Sequence, residues 1–239
     1  MTAEPAGVAG TETAGAGTPH ALDPTLVATG VAHLRVADPA LARAIDAVGP
    51  CRLALEPDLF YALVDAIVSQ QISVKAAATI LGRVCALRPD GLEAGEGGDR
   101  RCPTPAQLLA LPDEELRAAG CSRAKVAYLK DLSGRIVRGD LDLNRLRALP
   151  DEEVIRALVA VKGIGRWTAE MLLIFSLGRP DVWPVDDLGI VIAAQGLYGL
   201  AARPTRQELL ALGEPLRPFR TLAAWYLWQS RRILLGMPW

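Results

Sequence analysis

From residue 38 onward, apolar positions recur at three- and four-residue intervals, and no stretch alternates with period two long enough to demand a strand. In "LFYALVDAIVSQQ", Phe60, Leu63, Val64, Ile67 and Val68 share one face, the period of a helix laid against a core. Start and stop signals agree with that period. "DPALARAIDAVG" offers Asp38 as N-cap, Pro39 at the first helical position and Gly49 after the end. Ser73 opens "VKAAATILGRVCAL", two short helices are capped at Thr104 ("TPAQLLAL") and near Asp113 ("DEELRAAG"), and Ser122 caps a longer one that runs to Gly139. "DEEVIRALVAV" is followed by a helix from about Arg166 and at least two more, the last in "LRPFRTLAAWYLWQSRRIL". The pattern predicts an all-α chain of roughly ten helices with short connections.

Two stretches lack such a pattern. Residues 1–22, rich in Gly, Ala, Thr and Pro, cannot bury enough surface to fix themselves and are expected to form a disordered tail. They have neither the basic start nor the apolar core of a secretory signal. "GLEAGEGGDRRCP" reads as a polar, Gly-rich loop. The remaining 23–239 are expected to form one globular domain.

Composition narrows the chemistry. The 239 residues are 51% hydrophobic and carry a formal net charge of -1, so any nucleic-acid surface has to be local. The four cysteines are irregularly spaced without a CxxC, and both histidines, His20 and His33, lie near the N-terminus. That argues against a zinc site or a cysteine-ligated iron–sulfur cluster, and the cysteines read as small buried hydrophobes of a reducing cytosol. "MLLIFSLG", the longest apolar block, is far short of a membrane span.

Candidate chemistry begins at "VKGIGRWTAEM", residues 161–171. A helix precedes its Gly-x-Gly and Thr168 stands at the third glycine position, so neither a dinucleotide fingerprint nor a Walker loop fits. What remains is a helix, the turn "KGIG" and a second helix. Its glycines can take positive φ, and the amides opening the second helix present a phosphate site. Such a corner is also a common structural device. Some twenty residues on, "DVWPVDDLGI" places Asp186 and Asp187 at the start of another helix. One aspartate there is an ordinary N-cap, but two exceed what capping requires.

Taken together, these stretches resemble the helix–hairpin–helix DNA glycosylases, the HhH-GPD superfamily, and within it the alkylbase or 3-methyladenine type II (AlkA-like) branch. "VKGIGRWTAEM" resembles the hairpin and "WPVDDLGI" the loop with its aspartate, while "DAIVSQQISVKAA" and "CSRAKVAYLKDL" fit further stretches; the likeness covers about residues 37–235. The resemblance implies a two-lobed all-α fold with the hairpin at the cleft. One lobe would be formed by approximately residues 60–160, the other by 30–59 with 161–239. It looks like the compact form, without the β-rich domain that opens the best-studied bacterial relatives.

The implied activity is excision of an alkylated base such as 3-methyladenine or 7-methylguanine from duplex DNA. The base is rotated out, its N-glycosidic bond is hydrolysed and an abasic site remains for base excision repair. In the family the second aspartate of the pair is catalytic, twenty residues beyond the aromatic that follows the hairpin, which matches Trp167 and Asp187. Asp186 is the alternative. Members that also cut the strand carry a Lys where this chain has Trp167, so a monofunctional enzyme is implied.

Trp167 would stack on the extruded base, with Met171 and Phe60 lining the pocket. Trp228 is either a second pocket aromatic or core. Gln71, flanked by Gln70 and Ile72, falls at the wedge position that fills the gap, or at a plain polar junction between helices. Phosphates would be gripped by the amides of Gly163, Gly165 and Thr168 and by Lys162, with Ile164 packed under the turn. Ser122 and Arg123 are further backbone contacts, although a cap alone explains the Ser. Arg217, Arg220, Arg231 and Arg232 would add a local basic surface.

Family hairpins often hold a monovalent cation, sodium or potassium, on main-chain carbonyls, here those of Val159, Val161 and Ile164. No other cofactor is implied. The expected partner is damaged double-stranded DNA, met as a monomer with no membrane involved. A non-catalytic hairpin module that only binds DNA backbone or damaged DNA is the rival reading, and the aspartate pair speaks against it.

Overall fold

A computed structural model describes residues 20–88 and 102–233. The expected tail, as far as residue 19, and most of the Gly-rich loop lie outside the described residues. The elements run β1 (His20–Ala21), α1 (Pro24–Ala37), α2 (Pro39–Val48), β2 (Ala54–Leu55), α3 (Leu59–Ser69), α4 (Val74–Cys85), α5 (Pro105–Ala110) and α6 (Asp113–Ala118). They continue through α7 (Arg123–Val137), α8 (Leu143–Leu146), α9 (Asp151–Val159), α10 (Arg166–Phe175), α11 (Leu188–Leu197), α12 (Arg206–Gly213) and α13 (Arg220–Ile233). The all-α expectation holds. Five predicted caps are made: Asp38, Ser73, Thr104 and Ser122 each accept a backbone N–H of the first turn, and Gly49 ends α2 with φ 83°. The cap expected near Asp113 is not, because Asp113 is already the first residue of α6 and Pro112 before it has no capping side chain.

The described residues fall into two compact units. Those up to Leu55 and from Leu173 onward form one, and Glu56–Leu172 the other, so the boundary lies inside α10. In the first unit α13 packs against α1, α2 and α11. It is buried without interruption from Thr221 to Trp228, which makes it a core helix apolar on all sides. In the second unit α7 packs against α3, α5 and α6, and α3 against α4.

The expected lobe boundary requires correction at the hairpin. Residues 161–172 group with Glu56–Leu172, where the hairpin is anchored: Asp131 accepts the Lys162 N–H and the Gln70 side chain donates to the Gly163 carbonyl.

Three further expectations change. β1 and β2 form a short antiparallel pair, His20 opposite Leu55, and Leu22 beside it is buried, so the tail ends earlier than residue 22. α1 escaped the pattern because only Gly30 and Leu34 are buried on it; Asp23 nevertheless caps it through the Thr25 and Leu26 amides. Cys85, at the end of α4, and Cys102, just before α5, are joined in a disulfide, so not all four cysteines are plain buried thiols. Cys51 and Cys121 stay free, their thiol pKa values pushed up by burial. No helix among the described residues is long and apolar enough to cross a membrane.

Candidate active site

Asp187 stands at the N-terminus of α11, at the end of a loop pinned from two sides. The Trp183 indole donates to the Leu209 carbonyl on α12 (2.8 Å), and the Val182 amide donates to Thr221 Oγ1 on α13 (3.0 Å). The Asp187 amide closes the turn on the Pro184 carbonyl. With its backbone so fixed, Asp187 caps α11. Oδ1 accepts the Ile190 N–H at 2.8 Å and the Trp228 Nε1–H at 2.9 Å, and the residue is 4% exposed. Both donors and the α11 dipole present positive ends to a carboxylate screened from bulk water.

The adjacent Asp186 points the other way. It is exposed and pairs with Arg206 Nε at 3.3 Å, at the start of α12. One aspartate of the pair is therefore buried and oriented, and the other is an exposed surface charge.

Trp228 is largely buried and stacks on Phe175, with ring centroids 5.6 Å apart and planes at 26°. Of the two readings of Trp228, the structure shows a core ring, one that also holds the carboxylate. Gly189 makes this packing possible: a Cβ there would lie 2.9 Å from Asp187 Oδ1, 3.0 Å from Trp228 Cδ1 and 3.2 Å from Arg231 Nη1. Sequence reasoning missed Phe175 against the Trp228 ring, Gly189 beside the carboxylate and Arg231 next to Gly189. Phe175 alone carried a signal, because Trp167, Met171 and Phe175 recur every four residues along α10. All three are half-buried. Trp167, Met171 and the half-buried Phe60 belong to Glu56–Leu172, whereas Asp187, Trp228 and Phe175 belong to the other unit.

The hairpin is built as the sequence suggested. Ile164 is buried under the turn, Lys162, Gly163 and Gly165 are exposed, and α10 starts at Arg166. The first-turn amides of α10 have no partner within the helix, as at any helix start. Thr168, expected among the phosphate-gripping residues, is buried.

Gly163 has φ +81°, and a Cβ on it would sit 2.2 Å from the Tyr128 ring, so only glycine fits. Asp131 Oδ2 accepts the Lys162 amide at 2.9 Å and Arg135 Nε at 2.9 Å. Burial works against the Asp131 carboxylate, but the amide and the Arg135 guanidinium outweigh it and hold its pKa below the usual value. Behind the turn, Arg166 joins Glu152 on α9 to Glu170 on α10, and its own pKa is raised chiefly by the Glu152 hydrogen bond. Of the three carbonyls expected to hold a cation, that of Val161 accepts the Ile164 N–H. Among the described residues no group of three His, Cys, Asp or Glu side chains could hold a metal.

At the proposed wedge, α3 ends at Ser69 and Ser73 caps α4. Between them Gln71 is exposed and has φ 59°, the only positive value outside glycine among the described residues. Ile72 is half-buried. The Gln70 side chain donates to the Gly163 carbonyl at 2.8 Å, and Lys125 Nζ donates to the Val68 carbonyl at 2.7 Å. Ser122 and Arg123 are exposed at the start of α7, with the Ser122 hydroxyl spent on the Lys125 amide.

The expected basic surface needs revision. Arg217 pairs with Asp181 and Glu214, and Arg220 is clamped by Asp181, so these two guanidinium groups are neutralised locally.

Residues 64–218 match the family model described as HhH-GPD superfamily base excision DNA repair protein. DNA-3-methyladenine glycosylase 1 of Schizosaccharomyces pombe is 37% identical over 205 residues, covering 84% of this chain and 86% of that protein. A solved structure of the 3-methyladenine DNA glycosylase Mag1 of that yeast, in complex with abasic DNA, superposes with a TM-score of 0.72 at 35% identity, covering 85% of this chain and 97% of that one. The crystal structure of DNA-3-methyladenine glycosidase from Bacillus halodurans gives a TM-score of 0.76 at 36% identity, covering 87% and 91%.

Proposed function

Because this chain belongs to the HhH-GPD superfamily of base excision DNA repair proteins, we propose that it is a monofunctional DNA glycosylase. It releases alkylated purines from duplex DNA and leaves abasic sites. The observation that carries this reading is the buried Asp187 carboxylate, one oxygen of which is fixed by two N–H donors at the start of α11.

Cleavage of an N-glycosidic bond develops positive charge on the sugar. A carboxylate held in place beforehand and away from bulk water stabilises that charge without reorganising, and it can orient the attacking water. Backbone binding needs no such group. An alkylated purine is already cationic and leaves without an acid, in keeping with the absence of His from the motif stretches. Trp167 stacks on the everted base, where the ring face attracts a cationic purine, with Met171 and Phe60 as further apolar lining. No Lys stands at position 167 to attack the sugar as an amine, so the strand stays intact.

DNA is held by the hairpin amides of Gly163 and Gly165 with Lys162, and by Ser122 and Arg123, while Gln71 fills the gap left by the base. The C-terminal end of α9 carries the negative end of its dipole, and the carbonyls of Val159, Val161 and Ile164 there suit a sodium or potassium ion. Such an ion would add positive charge beside the gripped phosphate. The protein acts as a monomer on double-stranded DNA.

The test is release of free bases from methylated duplex DNA by wild type and Asp187→Asn, with the product strand assayed for cuts. Alkylpurine release by wild type alone, without cuts, is expected. Tight DNA binding with no release across a broad lesion panel would replace this reading with that of a non-catalytic hairpin module.

A further inference from the structure

The stretch "CSRAKVAYLKDL" enters the proposed function only through Ser122 and Arg123, yet three more of its residues support the wedge turn and the hairpin. Along one side of α7, at three-residue intervals, stand Lys125, Tyr128 and Asp131. Lys125 Nζ donates to the Val68 carbonyl in the last turn of α3, one of the terminal carbonyls that lacks a partner within its own helix. The Tyr128 ring lies against Gly163, and Asp131 accepts the Lys162 amide. The Gln70 side chain joins the two supported turns directly, donating to the Gly163 carbonyl at 2.8 Å across 93 residues of sequence.

From this arrangement we infer that Gln70 is a positioning residue. It ties the Gln71 turn to the phosphate-gripping hairpin so that one rigid piece, carried on α7, both grips the backbone and fills the gap. The inference rests on the wedge role proposed for Gln71, and it moves Gln70 from the DNA-contacting set to the support behind it. Gln71 needs such support. A side chain at φ 59° is disfavoured, and the conformation persists only where neighbouring contacts impose it. The residue before it is fixed by its own side chain, and the helix before that by Lys125. Gln71 is therefore held at a set distance from the amides that fix the phosphate, and binding energy from the grip is available to drive the side chain into the stack.

The test compares Gln70→Met, which keeps length and loses the donor, with Gln71→Ala and the double variant. Three quantities are read: single-turnover release of 7-methylguanine from methylated duplex, unstacking of a 2-aminopurine beside an abasic-site analogue, and affinity for undamaged duplex. Gln70→Met is expected to slow release and unstacking by about tenfold, the scale of one hydrogen bond, with duplex affinity within about twofold and an unchanged melting temperature. The double variant is expected to be no slower than Gln71→Ala.

Effects that multiply in the double variant would overturn the inference, because Gln70 would then act independently of Gln71. A parallel loss of undamaged-duplex affinity would make Gln70 a DNA contact instead. A fall in melting temperature that accounts for the slower rate would make it merely structural. If Gln71→Ala unstacks 2-aminopurine as wild type does, the wedge role fails and takes this inference with it. A wild type that releases no base but unstacks 2-aminopurine would contradict the proposed activity alone, and the unstacking data would still decide the role of Gln70.

Discussion

The surroundings of Asp187 and of the "KGIG" turn solve opposite problems with the same few devices. At Asp187 a side chain is the working part, and the backbone and an indole exist to aim it; it is 4% exposed. At the turn the backbone is the working part and side chains aim it: Asp131 holds the Lys162 amide, Gln70 the Gly163 carbonyl, and Tyr128 supports the glycine. The first region is dry and tolerates no change of charge. The second is wet and tolerates no change of main-chain path. A substitution's consequence is thus set by which part of the residue works.

Substitutions that separate the two regions follow in order of size. Asp187→Asn keeps the shape and removes the charge; single-turnover base release is expected to fall by about 10³-fold, the scale for a preorganised charged group, with duplex affinity retained. A loss below tenfold would remove Asp187 from the catalytic role.

Next comes one substitution made in both places. Gly189→Ala drives a Cβ against Asp187 Oδ1 and the Trp228 ring, and release is expected to slow roughly 10–100-fold through misplacement of the carboxylate while undamaged duplex binds as before. Gly163→Ala collides with Tyr128 at positive φ, and it is expected to lower stability by about 1–3 kcal/mol and to weaken duplex binding. Titration of duplexes with both variants checks the contrast, and equal losses of affinity would erase it.

A smaller effect comes from pH. The Asp131 pKa is lowered in the folded chain, so its contribution is present above the ordinary carboxylate pKa and is lost as pH falls through the folded value. Melting curves from pH 6 down to about pH 2 are expected to show roughly 1 kcal/mol less acid loss for Asp131→Asn than for wild type. Identical acid profiles would mean that the carboxylate does not anchor the hairpin. Smallest is Asp186→Asn. Its exposed pair with Arg206 is worth at most about 1 kcal/mol, so release is expected to change by less than about threefold. A loss near that of Asp187→Asn would exchange the roles of the two.

What could be read in advance was whatever is local along the chain. Asp38, Ser73, Thr104 and Ser122 cap the helices they precede, the hairpin lies where its glycines put it, and Ile164 packs beneath. Asp187 could be told from Asp186 only through the family resemblance, since nothing in two adjacent carboxylates says which one turns inward. Contacts between distant segments left no local trace. The Trp228 indole meets Asp187 across 41 residues and Gln70 meets Gly163 across 93. Arg217 and Arg220 looked like a free basic surface because Asp181, which neutralises them, lies 36 and 39 residues earlier. α1 stayed hidden because it buries too little to print a stripe.

The left-handed backbone at Gln71 also bears on how this chain can be engineered. A glycine there would relax a conformation that costs an ordinary side chain about 1–2 kcal/mol. Selection for thermal tolerance alone would therefore draw position 71 toward glycine, and selection for repair would draw it back. Libraries screened for expression or heat resistance will enrich Gln71→Gly unless base release is scored in parallel.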